Sequence, residues 1–256
     1  EHFSTPFTKI EIKNGEYVAH TTNLGEETHI EHFAGDGKRE ILAQFADSGI
    51  IGNLKGEYLP INTERVVGPH HLLLFNDVVY VLNLHDITTL GKETISKVDL
   101  STGKVKIISG EHYLNGATNL YFHKPSGLVV FPEVLSHQVT LFDPKTEKAV
   151  GSLSVNQARG LATLGHCLAV ASEDERIVSF FDLNKSDHPL VSTWDLSSAG
   201  PTFKRARTIG IDENSGKLFA RSVAPCSSCT ETMSSVVMAE EPSRATQKVC
   251  LGKTQQ

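Results

Sequence analysis

Residues 119–155 read NLYFHKPSGLVVFPEVLSHQVTLFDPKTEKAVGSLSV, four short runs rich in β-branched and aromatic residues with turn chemistry between them. Pro125-Ser126-Gly127 separates the run 119–123 from 128–132, and Asp143-Pro144-Lys145 separates 138–142 from 148–155. Such runs are too short for helices and too regularly punctuated for one long strand. The stretch therefore predicts one four-stranded antiparallel unit.

The same grammar recurs along the chain. It starts near His71, Asn119, Gly160 and Thr208, at intervals of 48, 41 and 48 residues. That period is the size of a propeller blade. Within successive copies the third run ends in Lys97-Val98-Asp99, Leu141-Phe142-Asp143 and Phe180-Phe181-Asp182. Each aspartate is expected to accept backbone N–H groups across the turn after it. Upstream, 7–12 and 16–21 flank Asn14-Gly15, and 28–33 and 38–45 flank Gly35-Asp36-Gly37, so two hairpins are expected, then a Gly-rich loop over 46–63. The expectation is one all-β domain over 1–256: irregular hairpins in 1–68, four legible blades in 69–251, six or seven blades if complete, and almost no helix. The fourth blade is expected to finish with strands at 234–238 and 246–251.

At 256 residues the chain is long enough for a sizeable core, and no apolar run approaches the roughly 18 residues of a membrane span. A net charge of -6 with scattered basic residues argues against nucleic acid as a partner. The chain starts at Glu1 without a basic-then-apolar leader, which fits a processed exported protein or a fragment, and a secreted or periplasmic setting is expected.

The chain resembles the β-propeller superfamily that includes YVTN-type, amine-dehydrogenase-like and WD-type repeats, through residues 128–155 and the stretch CLAVASEDERIVSFFDLN. Gln138 to Leu153 approximates the repeat phrase of that superfamily, with Glu147 where a glycine is common. Gly68-Pro69-His70-His71 ahead of these blades is similar to a family of bacterial periplasmic propellers of unknown function. The likeness implies a fold far more than an activity, because one scaffold of this kind carries many functions.

In a propeller the first strand of a blade begins, and the second ends, on the same face around the central channel. That geometry gathers His70, His71, Asn83, Asn119, Glu133, Arg159 and Glu173 as candidate ligand-binding residues, with Arg207 at a further strand start. Asn83, Glu133 and Glu173 are expected at equivalent offsets from their turns, where oxygen donors could hold a divalent cation such as calcium. The six-bladed lactonase-type propellers resemble this in using acidic and amide side chains around an axial calcium. Two functions stay open: a non-enzymatic binding or assembly module facing a protein partner or small ligand, and a metal-assisted hydrolase or lactonase with His70 or His71 moving protons. A solvated loop face would carry the same polar residues.

The remaining motifs are weaker. Gly35-Asp36-Gly37-Lys38 lacks the full phosphate-loop spacing, and no G-x-S-x-G elbow is present. Cys226 and Cys229 have C-x-x-C spacing without a second pair, which points to a local bridge within a loop. Cys167 is expected to be buried and reduced, Cys250 to lie in an outer strand, and reduction to leave the fold intact.

Overall fold

The computed structural model describes residues 4–13, 16–26, 30–35, 40–44, 50–53, 66–84, 92–109, 114–197, 205–211, 217–223, 235–240 and 243–252. These residues form six antiparallel sheets, each a meander of strands consecutive in the chain, and one short helix. The all-β propeller class read from the repeats is what they show. The turn at Asn14-Gly15, and Cys226 and Cys229, lie outside the described residues.

Two compact units divide the chain, Glu1–Leu114 and Asn115–Gln256. The first holds the hairpin β1 (Ser4–Lys13) and β2 (Glu16–Glu26), then the sheet β3 (Ile30–Gly35), β4 (Glu40–Gln44) and β5 (Ile50–Asn53). Its four-stranded blade is β6 (Pro69–Phe75), β7 (Val78–Asn83), β8 (Thr94–Asp99) and β9 (Val105–Ile107). Strand β5 corrects the loop expected over 46–63: Ile50 to Asn53 pairs with Gln44 to Ile41. The glycines around two adjacent isoleucines hide the alternation that would have marked it.

The second unit begins with the blade β10 (Tyr121–His123), β11 (Leu128–Glu133), β12 (Gln138–Asp143) and β13 (Lys148–Ser154). The blade β14 (Ala158–Leu164), β15 (Cys167–Ser172), β16 (Ile177–Asp182) and β17 (Leu190–Asp195) comes next. A third sheet, β18 (Ala206–Ile211), β19 (Leu218–Val223) and β20 (Ser235–Glu240), leads to the helix α1 (Arg244–Leu251).

Burial explains the composition of the strands. β15 is buried at all six positions, and its CLAVAS sequence uses small apolar residues because both faces are covered. Outer strand β13 is mostly exposed and carries lysine and serine. Between β10–β13 and β14–β17 lies a core of Val130, Val139, Leu141, Leu161, Leu168 and Phe181. A second core, with Leu164, Ala169, Phe180, Ile209, Leu218 and Cys250, packs β14–β17 against β18–β19 and α1. Side chains such as Leu168 and Phe180 each contribute about 1.5–3 kcal/mol when fully buried.

The turn aspartates behave as the sequence predicts. Asp99 Oδ1 accepts the N–H groups of Ser101 and Thr102 at 2.9 and 3.0 Å, Asp143 Oδ1 accepts that of Lys145 at 2.8 Å, and Asp182 Oδ1 that of Asn184 at 3.0 Å. Asp195 Oδ1 repeats the arrangement with the Ser197 N–H at 2.8 Å. The hydrogen bond from the Ser101 hydroxyl at Asp99, and those from the backbone of Lys145 and Ser197 at Asp143 and Asp195, hold these three carboxyls below the usual range. Glu147 takes a left-handed φ of 56° at the position where Gly103, in the other unit's blade, has 69°. Both residues donate their N–H to the carbonyl of the turn aspartate, at 2.9 and 2.8 Å.

Two expectations at the C-terminal end are overturned. Residues 246–251 form helix, because Ser243 Oγ caps the Thr246 N–H at 3.2 Å and Gly252 adopts a left-handed φ of 63° at the other end. Cys167 is not a free thiol: it is bonded to Cys250, 83 residues away. The His166 N–H also donates to the Cys250 carbonyl at 3.1 Å, and a Cβ on Gly165, φ 57°, would collide with that same carbonyl. Helix α1 is thus fastened to the β14–β15 turn by a covalent bond, a hydrogen bond and a close approach that only glycine allows.

Candidate functional site

Four strands that open a sheet carry a β-bulge near their start. The pairing shifts between Ile30 and His32 in β3, Pro69 and His71 in β6, Ala158 and Leu161 in β14, and Ala206 and Thr208 in β18. A bulge turns the extra residue out of the pleat and re-aims its side chain. His70, Arg159 and Arg207 stand at three of these positions, which are the strand starts singled out in the sequence.

In the first unit, His70 and His71 are half-buried at the start of β6. Asn83 is fully buried at the end of β7, in register with Pro69. Its Nδ2 donates to Ser96 Oγ at 2.8 Å and Thr94 Oγ1 at 3.2 Å, the third and first residues of β8.

Glu133 does the same work in the second unit. Its Oε1 accepts from Gln138 Nε2 at 3.1 Å and from the Thr140 hydroxyl, the first and third residues of β12, while Oε2 accepts the Asn115 N–H at 2.9 Å. Asn83 and Glu133 are therefore equivalent positions, each clamping the second strand of its blade to the third. The residue equivalent to them in β15 is Ser172, which pairs with Ala158 and Ile177 and donates to the Asn156 carbonyl at 2.7 Å. Glu173 lies one residue beyond, so the expected equivalence of Asn83, Glu133 and Glu173 is off by one at its last member.

That one-residue step changes the chemistry. Glu173 is 3% exposed, and its carboxylate is held by Arg159 Nε on Oε2 at 2.8 Å and by Arg207 Nε on Oε1 at 2.7 Å. Arg205 Nη1 reaches Oε1 at 3.5 Å, and its Nε lies 4.0 Å from Asp174 Oδ1. Burial alone would raise the Glu173 carboxyl, but the hydrogen bond from Arg207 and the charge of Arg159 outweigh it and hold the group below the usual range. Gly160 sets the spacing: a Cβ there would lie 2.9 Å from the Ile209 N and 3.2 Å from the Arg207 carbonyl, so β14 and β18 approach closely beside the cluster. Asn119 joins from the preceding blade, its Nδ2 donating to the Arg159 carbonyl at 2.7 Å.

Within the second unit, then, Asn119, Arg159 and Glu173 are brought into one contact chain together with Arg205 and Arg207, whereas Glu133 is satisfied around its own blade. Arg205 is absent from the sequence-derived set, although the basic run Lys204-Arg205-Ala206-Arg207 at a strand start was a visible signal. Of the donors expected for calcium, Glu133 is engaged by neutral N–H and O–H groups and Glu173 by cations that would repel a metal ion, while Asn83 Oδ1 is buried with no hydrogen-bond partner among the described residues. Among the described residues no group of three or more His, Cys, Asp and Glu side chains is placed to hold a metal. Also among them, no helix is long and apolar enough to cross a membrane.

No protein-family model matches the chain. No curated protein matches it either. Solved structures do resemble it in fold. The computationally designed Ika8 protein aligns with a TM-score of 0.60 at 13% identity, over 87% of this chain and 70% of that one. A protein of unknown function from Bacteroides caccae aligns at 0.54 and 14%, over 87% and 81%. A chain of the Mitotic Checkpoint Complex aligns at 0.65 and 10%, over 88% and 69%.

Proposed function

We propose that this protein is a non-enzymatic binding or assembly module, and that it meets a partner protein at the strand starts of its second unit. The observation that carries the reading is the fixed charge at Glu173. Arginine does not give up its proton in proteins, and Glu173 is held ionised by the guanidiniums around it, so the cluster offers permanent charge without a group that exchanges protons near neutrality. Such a site suits recognition more than acid–base chemistry. The likeness to a chain of the Mitotic Checkpoint Complex, an assembly of proteins, supports a protein partner at the level of fold. Disulfides persist where the surroundings are oxidising, so the Cys167–Cys250 bond supports a secreted or periplasmic setting.

The test uses the intact protein as immobilised bait beside an Arg207→Gln bait of matched thermal stability. A partner retained by the first and lost from the second is the expected result. Turnover of an ester or lactone by the wild-type protein, abolished by Arg207→Gln, with no partner retained, would overturn the reading.

A further inference from the structure

Asn184-Lys185-Ser186 is the one place in the 256 residues where an asparagine stands two before a serine or threonine with no proline between them. It sits in the connection between β16 and β17, which runs over seven residues, 183–189. The matching connections of the other two four-stranded blades run over five, 100–104, and four, 144–147. Both ends of the longer connection are pinned. Leu183 is buried and donates its N–H to the His166 carbonyl at 3.4 Å, and the Pro189 carbonyl accepts the Asp182 N–H at 3.1 Å. His188 lies against β13, where a Cβ on Gly151 would meet its imidazole at 3.7 Å. The residues between, Asn184 to Asp187, are all exposed. Asp182 Oδ1 accepts the Asn184 N–H at 3.0 Å, but the Asn184 side-chain amide and the Ser186 hydroxyl have no hydrogen-bond partner among the described residues.

We propose that Asn184 is a site of N-linked glycosylation, with Lys185 and Ser186 completing the tripeptide that the transferase reads. The proposal rests on the secreted or periplasmic setting inferred above, since an Asn-x-Ser/Thr tripeptide is an acceptor in a surface loop of an exported protein. Turn chemistry alone does not account for Asn184. A turn asparagine ordinarily bonds the nearby backbone through its side chain. Here Asp182 does that work, and the amide of Asn184 is left to solvent. A bulky hydrated substituent fits at this point, because residues 184–187 are exposed and none of them belongs to the cores on either side of the blade. The co-reactant is an oligosaccharide carried on a lipid pyrophosphate. Transfer forms a bond from Asn184 Nδ2 to the anomeric carbon of the sugar, breaks the bond from that carbon to the pyrophosphate oxygen, and releases the lipid pyrophosphate and one amide proton. Nothing is oxidised or reduced.

The test takes the protein from cultures of its source and measures its intact mass before and after an amidase that removes N-linked glycans and converts the asparagine to aspartate. A mass above that of the bare chain, lost on treatment, with the conversion mapped to position 184, is the expected result. Secretion of the full chain from a eukaryotic cell line supplies the controls. The wild-type chain and Ser186→Thr should carry the glycan, and Asn184→Gln and Ser186→Ala should lose it completely. After amidase treatment the thermal midpoints of all four should coincide, because every change is at an exposed side chain without a packing role. A glycan kept at Asn184 by Ser186→Ala would deny that the tripeptide is what is read. The two readings fail separately. Source protein with the Cys167–Cys250 bond intact and Asn184 unmodified overturns the glycosylation site and leaves the oxidising setting, while source protein with both cysteines as free thiols and no glycan overturns both.

Discussion

Two neighbouring blades of the second unit share one four-strand grammar and settle their buried polar groups in opposite ways. In β10–β13, Glu133 is satisfied by neutral donors within and just before its own blade. In β14–β17, Glu173 accepts from Arg207 of β18, Gly160 yields to the β18 backbone, and Cys167 is bonded to α1. The buried carboxylate of the first blade is satisfied locally, whereas that of the second is tied to the next sheet, and Cys167 ties the same blade to the C-terminal helix. A glutamate one position further along the strand end makes the difference, since successive positions face opposite ways.

The largest test of this contrast is the covalent tie. Replacing Cys167 and Cys250 by alanine reopens a loop of 83 residues. In the chain-entropy picture such a loop is worth about 4 kcal/mol. Calorimetry should show a fall in Tm of roughly 10 °C, given 2–4 °C per kcal/mol at this size. A fall below about 2 °C would show that packing and the His166 hydrogen bond already hold the helix.

The second test separates the blades by pH. His123 in β10 is completely buried, and that burial pushes its imidazole down from 6.5 to about 4. A depressed folded value means that stability is fully present above pH 6.5 and is lost as the pH falls toward 4. The loss is on the order of 3 kcal/mol. His123→Gln should abolish that slope in denaturant midpoints measured from pH 7 to 4. Glu173 is also depressed, so its contribution is present above the ordinary glutamate range and disappears only below it. A variant of Glu173 that flattened the profile between pH 6.5 and 4.5 would break the assignment.

How much of this was legible in the sequence depends on the range of each interaction. The blades and the turn aspartates were readable because strand alternation and the bonds of Asp99, Asp143 and Asp182 are made within a few residues. The strand starts His70, Arg159 and Arg207 were readable as positions, but not the bulges that aim them. The partners of Glu173 lie 14 and 34 residues away, and nothing local distinguishes it from Glu133. Helix α1 was read as a strand because the repeat was extended over it, although Ser243 and Gly252 frame a helix. The Cys167–Cys250 pair depends on where α1 lands, which no spacing reveals.

A smaller effect comes from two glycines. Gly160→Ala forces a Cβ against the β18 backbone and should cost about 1–3 kcal/mol, as overpacking does. Gly151→Ala in β13 meets only ordinary contacts at 3.6 Å or more and should be nearly neutral. Equal losses at both positions, measured by urea unfolding, would deny that β14 is the tighter contact.

The central claim is that the guanidiniums around Glu173 hold its buried carboxyl below the usual range, so that it is ionised near neutrality, and its own titration tests this most directly. Carbon-detected NMR of the side-chain carboxyls, assigned through Glu173→Gln, reads the midpoint of this one group. The account predicts a midpoint below 4.5 that moves upward in Arg207→Gln. A midpoint above 4.5 in the wild-type protein, insensitive to Arg207→Gln, would contradict it, since burial would then outweigh the arginines and no fixed-charge site would exist.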